Sequence, residues 1–217
     1  MTRRTIILVL CSLVPLTFSP STTANPEQNW NFKVFLNDRS IGFHNFRLVP
    51  LGENVRELKS SANFNVKFLF FTAYTYRHND TEVWQGNCLQ RIDAQTDDNG
   101  RQFIVRGNQD IEGFEIRNED ETQVAASQCV KTFAYWDPSI LKERRLLNSQ
   151  TGEFVDVRVE ALGEETIKVR DQPVLANHYR LYSELGDIDL WYAADGRRWL
   201  ALQSTTENGQ KLSYQMY

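Results

Sequence analysis

Tyr74, Tyr76, His78, Glu82 and Trp84 gather aromatic rings, an imidazole and a carboxylate in one short stretch. Rings with one acid and one histidine commonly line a small-molecule pocket, because apolar walls bind and a few polar groups orient. The same residues also serve to fill a core with polar tips at its rim. Alternation places Tyr74, Tyr76 and His78 on one strand face. Asn79-Asp80-Thr81 reads as a turn that would fold Glu82 and Trp84 back beside them. Tyr135 and Trp136, from a second aromatic group, join these five as candidate ligand-binding residues.

The other reactive residue types are sparse. The three histidines, His44, His78 and His178, form neither His-x-His nor His-Glu-x-x-His, so no metal spacing is present and neither metal nor cofactor is expected. There is no Gly-x-Ser-x-Gly turn and no Gly-rich phosphate loop. A nucleophile pair of Cys88 with His78, or an acid–base pair of His78 with Glu82, defines a hydrolase alternative; the reading leans away from an enzyme. Cys88 and Cys129 are the two cysteines outside the leader described below, and an even count in an exported chain makes a disulfide the default. It would close a loop of about 40 residues, a stabilisation on the order of 3–4 kcal/mol in the chain-entropy model. A reactive thiol is the alternative.

The elements that must position these groups are strands. Residues 1–24 have the build of a secretory signal peptide: Arg3 and Arg4, an apolar run from Thr5 to Phe18, and small residues ending at Ala24. The run is about 14 residues, short of the roughly 18–20 that span a bilayer. The chain is therefore expected to be periplasmic, or secondarily secreted, and not membrane-spanning after cleavage. Taking the leader's two basic residues from 24, against 28 acids, leaves a charge of −6. Such a surface gives no reason to expect nucleic acid as partner.

From 25 to 217 the chain reads as a single antiparallel β domain. Trp30, Phe32, Val34 and Leu36 alternate with polar residues, as do Leu58, Ala62, Phe64, Val66 and Phe68. At Phe68-Leu69-Phe70-Phe71 the alternation lapses into a solid apolar run, read as a bulge, a sheet corner or an exposed patch. Asn99-Gly100 and Asn208-Gly209 mark hairpin turns, and Gly163-Glu164-Glu165 marks another turn. About 11–13 strands result. One segment differs: Asp137-Pro138 is a helix start, since the carboxylate accepts from free amides and proline is pre-set for the first turn. A short helix near 138–145 is expected to lie on the sheet. A transmembrane barrel is disfavoured because Glu57, Lys59, Lys67, Asp156, Arg158 and Glu160 occupy the faces that would meet lipid.

Tyr74-x-Tyr76-x-His78, Glu82-x-Trp84, Cys88-Leu89, Thr96-Asp97-Asp98-Asn99-Gly100, Phe133-Ala134-Tyr135-Trp136-Asp137-Pro138, Leu146-Leu147-Asn148 with Gln150-Thr151-Gly152, and Leu190-Trp191-Tyr192 together resemble the bacterial family called domain of unknown function 6134. The resemblance covers nearly all of the chain after the leader. It implies an exported β-rich protein of Gram-negative bacteria without an assigned activity. It implies more remotely a likeness to periplasmic lipoprotein carriers, whose half-open β-barrel wraps around a helix. No catalytic residues carry over.

The expectation is thus all-β, mainly antiparallel: a curved or rolled sheet, or half-open β-barrel, with one short helix packed on it. Its concave face would bind an apolar or amphipathic ligand such as a lipid. The alternative is an envelope structural or interaction protein with a filled core and a protein partner. The discriminating observation is whether the concave face beneath the helix is open or filled.

Overall fold

A computed structural model describes residues 26–68, 71–118, 122–125, 129–206 and 209–217. The proposed leader, Leu69 and Phe70 of the apolar run, and Asn208 of the last hairpin lie outside the described residues, as do the side chains of Phe68 and Phe71. The first strands are β1 (Gln28–Leu36), β2 (Arg39–Gly52), β3 (Val55–Phe68), β4 (Phe71–Gln85) and β5 (Cys88–Asp98). They are followed by β6 (Arg101–Gln109), β7 (Phe114–Arg117), β8 (Thr122–Ala125) and β9 (Arg145–Leu147). The last five are β10 (Phe154–Val169), β11 (Gln172–Ser183), β12 (Ile188–Ala193), β13 (Trp199–Thr205) and β14 (Lys211–Met216).

All fourteen strands form one sheet in the order β8-β7-β6-β5-β4-β3-β2-β1-β14-β13-β12-β11-β10-β9, slightly more strands than the sequence implied. The paired strands are antiparallel throughout, and only the β1–β14 pairing joins elements distant in sequence. Two meanders therefore meet at β1–β14, while β8 and β9 stand at the two ends of an open sheet, β9 taking a parallel bridge from Thr132 of the crossing segment. The chain must pass from one edge to the other, and it does so across the inner face. Val130, Ala134, Trp136, Ile140, Leu146 and Leu147 join the main core with Trp30, Phe32, Trp84, Phe114 and Trp199. No helix among the described residues is long and apolar enough to cross a membrane, which says nothing about spanning by strands.

The two-residue turns follow local chemistry. Asn99 and Gly100 both have positive φ (53° and 94°), as the Asn-Gly hairpin requires. Three other sequence readings give way to tertiary pairing. The expected helix near 138–145 is a five-residue 3₁₀ turn, Pro138–Lys142. Its start is as expected, with Asp137 Oδ1 accepting from the Ser139 amide at 2.9 Å. It ends at once because Arg145–Leu147 pairs with Phe154–Asp156 as β9.

The turn at Asn79-Asp80-Thr81 does not form. Those residues sit in the middle of β4 and pair on one side with Lys59–Ser61 and on the other with Asp93–Gln95. Two ladders of backbone hydrogen bonds outweigh a local turn preference. Gly163 likewise is a bulge inside β10, where φ of 103° suits glycine, and the turn comes instead at Arg170-Asp171.

Candidate functional site

With β4 unbroken, alternation places Tyr76, His78, Asp80, Glu82 and Trp84 on one face, and that face is the inner one. His78, Asp80 and Glu82 are buried, and Trp84 is fully so. The neighbours across the ladders explain the space around them. His78, Asp80 and Glu82 stand opposite Ala62, Ser60 and Leu58 on β3, and opposite Thr96, Ala94 and Ile92 on β5. Small residues beside Asp80 leave room that the crossing segment does not fill. A cavity of about 260 Å³ lies there, between β2–β4, Tyr214 and the segment Thr132–Trp136. The concave face is thus largely plugged, with a small chamber beneath the plug.

The plug is fastened at both ends and in the middle. Cys129 is bonded to Cys88 at the start of β5, with Cα atoms 4.7 Å apart. The Trp136 ring packs edge-on against Trp84 at 5.4 Å, and the Arg56 guanidinium lies 4.7 Å from its centroid. Tyr192 on β12 donates from its hydroxyl to the Tyr135 carbonyl at 2.8 Å. Lys131 reaches Glu143 at 2.7 Å and Ser139 at 3.0 Å, tying the approach strand to the 3₁₀ turn.

The polar groups of the chamber are held in a defined charge state. Trp84 Nε1 donates to Glu82 at 2.9 Å, and Glu82 is also hydrogen-bonded to Thr132 and Asp80. Burial pushes both carboxyls up, since a charge taken from water loses solvation. For Asp80 the adjacent Glu82 charge pushes further, well above the usual carboxylate range. The donors around Glu82 pull it back down, so the shared proton belongs on Asp80. Burial also holds His44 well below the ordinary imidazole range and His78 at about 4, so both are neutral at pH 7. His78 Nδ1 pairs with Thr96 Oγ1 at 2.8 Å, and His44 Nε2 with Ser60 Oγ at 2.8 Å.

Of the seven residues singled out by sequence, Tyr76, His78, Glu82, Tyr135 and Trp136 line this chamber. Trp84 stands behind it as donor to Glu82. Tyr74 is not part of it and donates instead to Asp98 at 2.7 Å. Sequence reading missed Asp80, although the period-two run Tyr76-x-His78-x-Asp80-x-Glu82-x-Trp84 was the signal that could have found it. It also missed His44, Ser60, Thr132 and Tyr214, which arrive from other elements. The disulfide consumes the Cys88 sulfur, removing the Cys88–His78 nucleophile pair. Among the described residues no group of three or more His, Cys, Asp or Glu is placed to hold a metal ion.

The third histidine lies on the opposite face. His178 Nδ1 is 2.9 Å from Glu165 Oε1, and Nε2 is 2.9 Å from Asp189 Oδ1. Its ring stacks on Trp191 at 4.5 Å, while Arg180 donates twice to Asp189 at 2.8 and 3.1 Å. Partial burial alone would raise Asp189, but the hydrogen bonds from Arg180 and His178 outweigh it and hold the carboxyl below its usual range.

The model of the family described as "Domain of unknown function (DUF6134)" matches residues 32–216. Among solved structures, the chain is similar to the "Beta-barrel-like Protein of Domain of Unknown Function DUF1849 from Brucella abortus". That match has a TM-score of 0.65 and 6% identity, and covers 89% of this chain and 96% of the other. At such identity the likeness is one of fold alone. A comparison with curated proteins finds no match.

Proposed function

The chain belongs to the DUF6134 family, and we propose that it is an exported envelope protein that holds a small apolar or amphipathic ligand between its sheet and the crossing segment. The observation that carries this reading is the chamber of about 260 Å³ walled by Phe46, Leu58, Phe133, Tyr135, Trp136 and Tyr214. Apolar walls with a few convergent polar groups are the usual build of a small-molecule site, though this volume lies just under the roughly 300–1,000 Å³ of drug-sized pockets. The ligand is accordingly small, or a lipid inserting only one end.

Export to the periplasm is supported by the leader-like residues 1–24 and by the Cys88–Cys129 bond, which persists in oxidising compartments. Fractionation with N-terminal sequencing tests it: a mature chain starting near Asn25 in the periplasmic fraction is expected, and an uncleaved cytosolic chain would end the idea. Native mass spectrometry and solvent extraction of protein purified from its own compartment test the ligand. Co-purifying small amphiphile is expected. A chain that carries nothing and takes up no offered amphiphile instead favours the second reading, an interaction protein of the envelope. That reading has its own observation: between Ala161 and Val174 the β10–β11 hairpin buries no residue, and it exposes Leu162 nearby.

A further inference from the structure

Beyond the chamber, the inner face of the sheet carries a second apolar cluster of Val34, Ile41, Ala62 and Phe64, with Leu36, Val66 and Leu212 packed at its margin. Among the described residues, none from the crossing segment joins it. Rings divide it from the chamber: Phe64 stacks on Tyr76 at 5.3 Å, and Tyr214 stands edge-on to Phe64 at 6.4 Å. Both tyrosines line the chamber on their other side. Where the cluster ends, a depression of about 1140 Å³ opens between the β1–β2 turn, the ends of β3 and β4, and Gln210 before β14. It is about four times the volume of the chamber.

We propose that this depression is a second binding site, which takes a single-chain anionic amphiphile. The chain lies against Leu36, Ile41 and Val66, and the anionic head meets Arg39 and Lys67, all five of which line the depression. Register supplies the first argument. Arg39 pairs directly opposite Leu36, and residues directly opposite in an antiparallel pair share a face, so a cation and an apolar wall leave the same side of one hairpin.

Charge supplies the second. Among the described residues, neither Arg39 nor Lys67 has an ion pair or a side-chain hydrogen bond. Against these two cations the lining has one acid, Asp38, on a chain of net charge −4. A locally positive recess on an acidic molecule draws anions and discriminates against cations. Guanidinium also matches a carboxylate or phosphate bidentately. Depth decides the form of the partner. Ile41 is buried although it lines the recess, so a single chain can reach it where a flat bilayer surface cannot.

This site is separate from the chamber and goes beyond the reading above. Its test is calorimetric titration of the full chain at pH 8 with monomeric dodecanoate, dodecyltrimethylammonium and acetate. Dodecanoate is expected to bind, and dodecyltrimethylammonium to bind at least about fivefold more weakly, the worth of roughly one exposed ion pair. Acetate, which lacks the chain, should not saturate. Arg39→Glu combined with Lys67→Glu should remove the preference for dodecanoate. Ala73→Trp, which fills the depression, should weaken both long-chain probes. All three positions are exposed, so the variants should melt as the natural chain does. Equal binding of the two long-chain probes overturns the anionic head. Dodecanoate binding that neither variant changes overturns the site and leaves the chamber reading standing. No binding of dodecanoate, or uptake only onto anionic phospholipid vesicles, also overturns the proposal, while co-purification of a ligand decides the chamber reading separately.

Discussion

The inner stripe on β4 and the outer cluster across β10–β12 are built from the same residue types: histidine, carboxylates and a tryptophan donating to a carboxylate. Trp84 bonds Glu82 at 2.9 Å inside, and Trp191 bonds Glu165 at 2.7 Å outside. Their electrostatics run in opposite directions. Inside, desolvation pushes the acids up and the imidazoles down, and the stripe sheds charge. Outside, Arg180 supplies a bidentate partner, and Asp189 is held ionised. The difference is that, among the described residues, no cation acts on the carboxyls of the stripe: Lys131 is spent on Glu143, and Arg56 lies over the Trp136 ring. Burial without a counter-charge leaves neutral imidazoles and two carboxyls sharing a proton, whereas partial exposure with arginine makes an ionic clamp.

The largest expected effect is on the covalent tie of the plug. Closing a loop across a sequence separation of 41 contributes about 4 kcal/mol in the chain-entropy model. Reduction, or Cys88→Ser with Cys129→Ser, should lower urea stability by that order. Amide exchange should quicken around residues 78–84 before it quickens around 178–191; simultaneous quickening would show that the plug does not guard the stripe.

Acid comes next. The folded-state pKa values of His44 and His78 lie below the ordinary 6.5, so the unfolded chain binds their protons first. Their contribution is intact above pH 6.5 and is lost as pH falls towards 4. For His78, at about 4, the loss is on the order of 3 kcal/mol. Urea midpoints between pH 7 and 4.5 should fall less steeply in His78→Gln than in the natural chain.

A smaller loss is expected outside. Asp189→Asn should cost about 1 kcal/mol at pH 7, less in high salt where exposed charges are screened. Because the Asp189 pKa is depressed, this contribution is present above about 3.8 and disappears as pH falls through the folded value. Thermal melts of variant and natural chain should converge there.

Asp80→Asn should have the opposite sign. The raised folded pKa means that Asp80 disfavours the fold increasingly as pH rises above its unfolded value. The variant should therefore melt higher than the natural chain at pH 8, with the advantage shrinking towards pH 4, and should be insensitive to salt. A destabilised Asp80→Asn at pH 8 would show Asp80 to be ionised, and the contrast between the two regions would collapse.

Much of this was legible in residue order because its causes are local. Period-two alternation names the inner face of each strand, Asn99-Gly100 sets its turn, and Asp137-Pro138 starts its helical turn whatever the surroundings. Cysteine parity pointed to the Cys88–Cys129 bond. Local preference also misled, and always in the same way. Asn79-Asp80-Thr81, Gly163-Glu164-Glu165 and the stretch after Lys142 each favour a turn or helix alone, yet each is drawn into a ladder by the adjoining strands.

The composition of the chamber belongs to the tertiary structure entirely. Which strands flank β4, and hence that Ser60 and Ala94 stand beside Asp80, follows from the sheet order. That Thr132 reaches Glu82 follows from the path of the plug. The sequence by itself determined a β chain with one interrupting segment and marked the face where His78 and Glu82 lie. Only the sheet with its crossing segment decided that this face is buried, because desolvation is a sum over neighbours that no short stretch of chain contains.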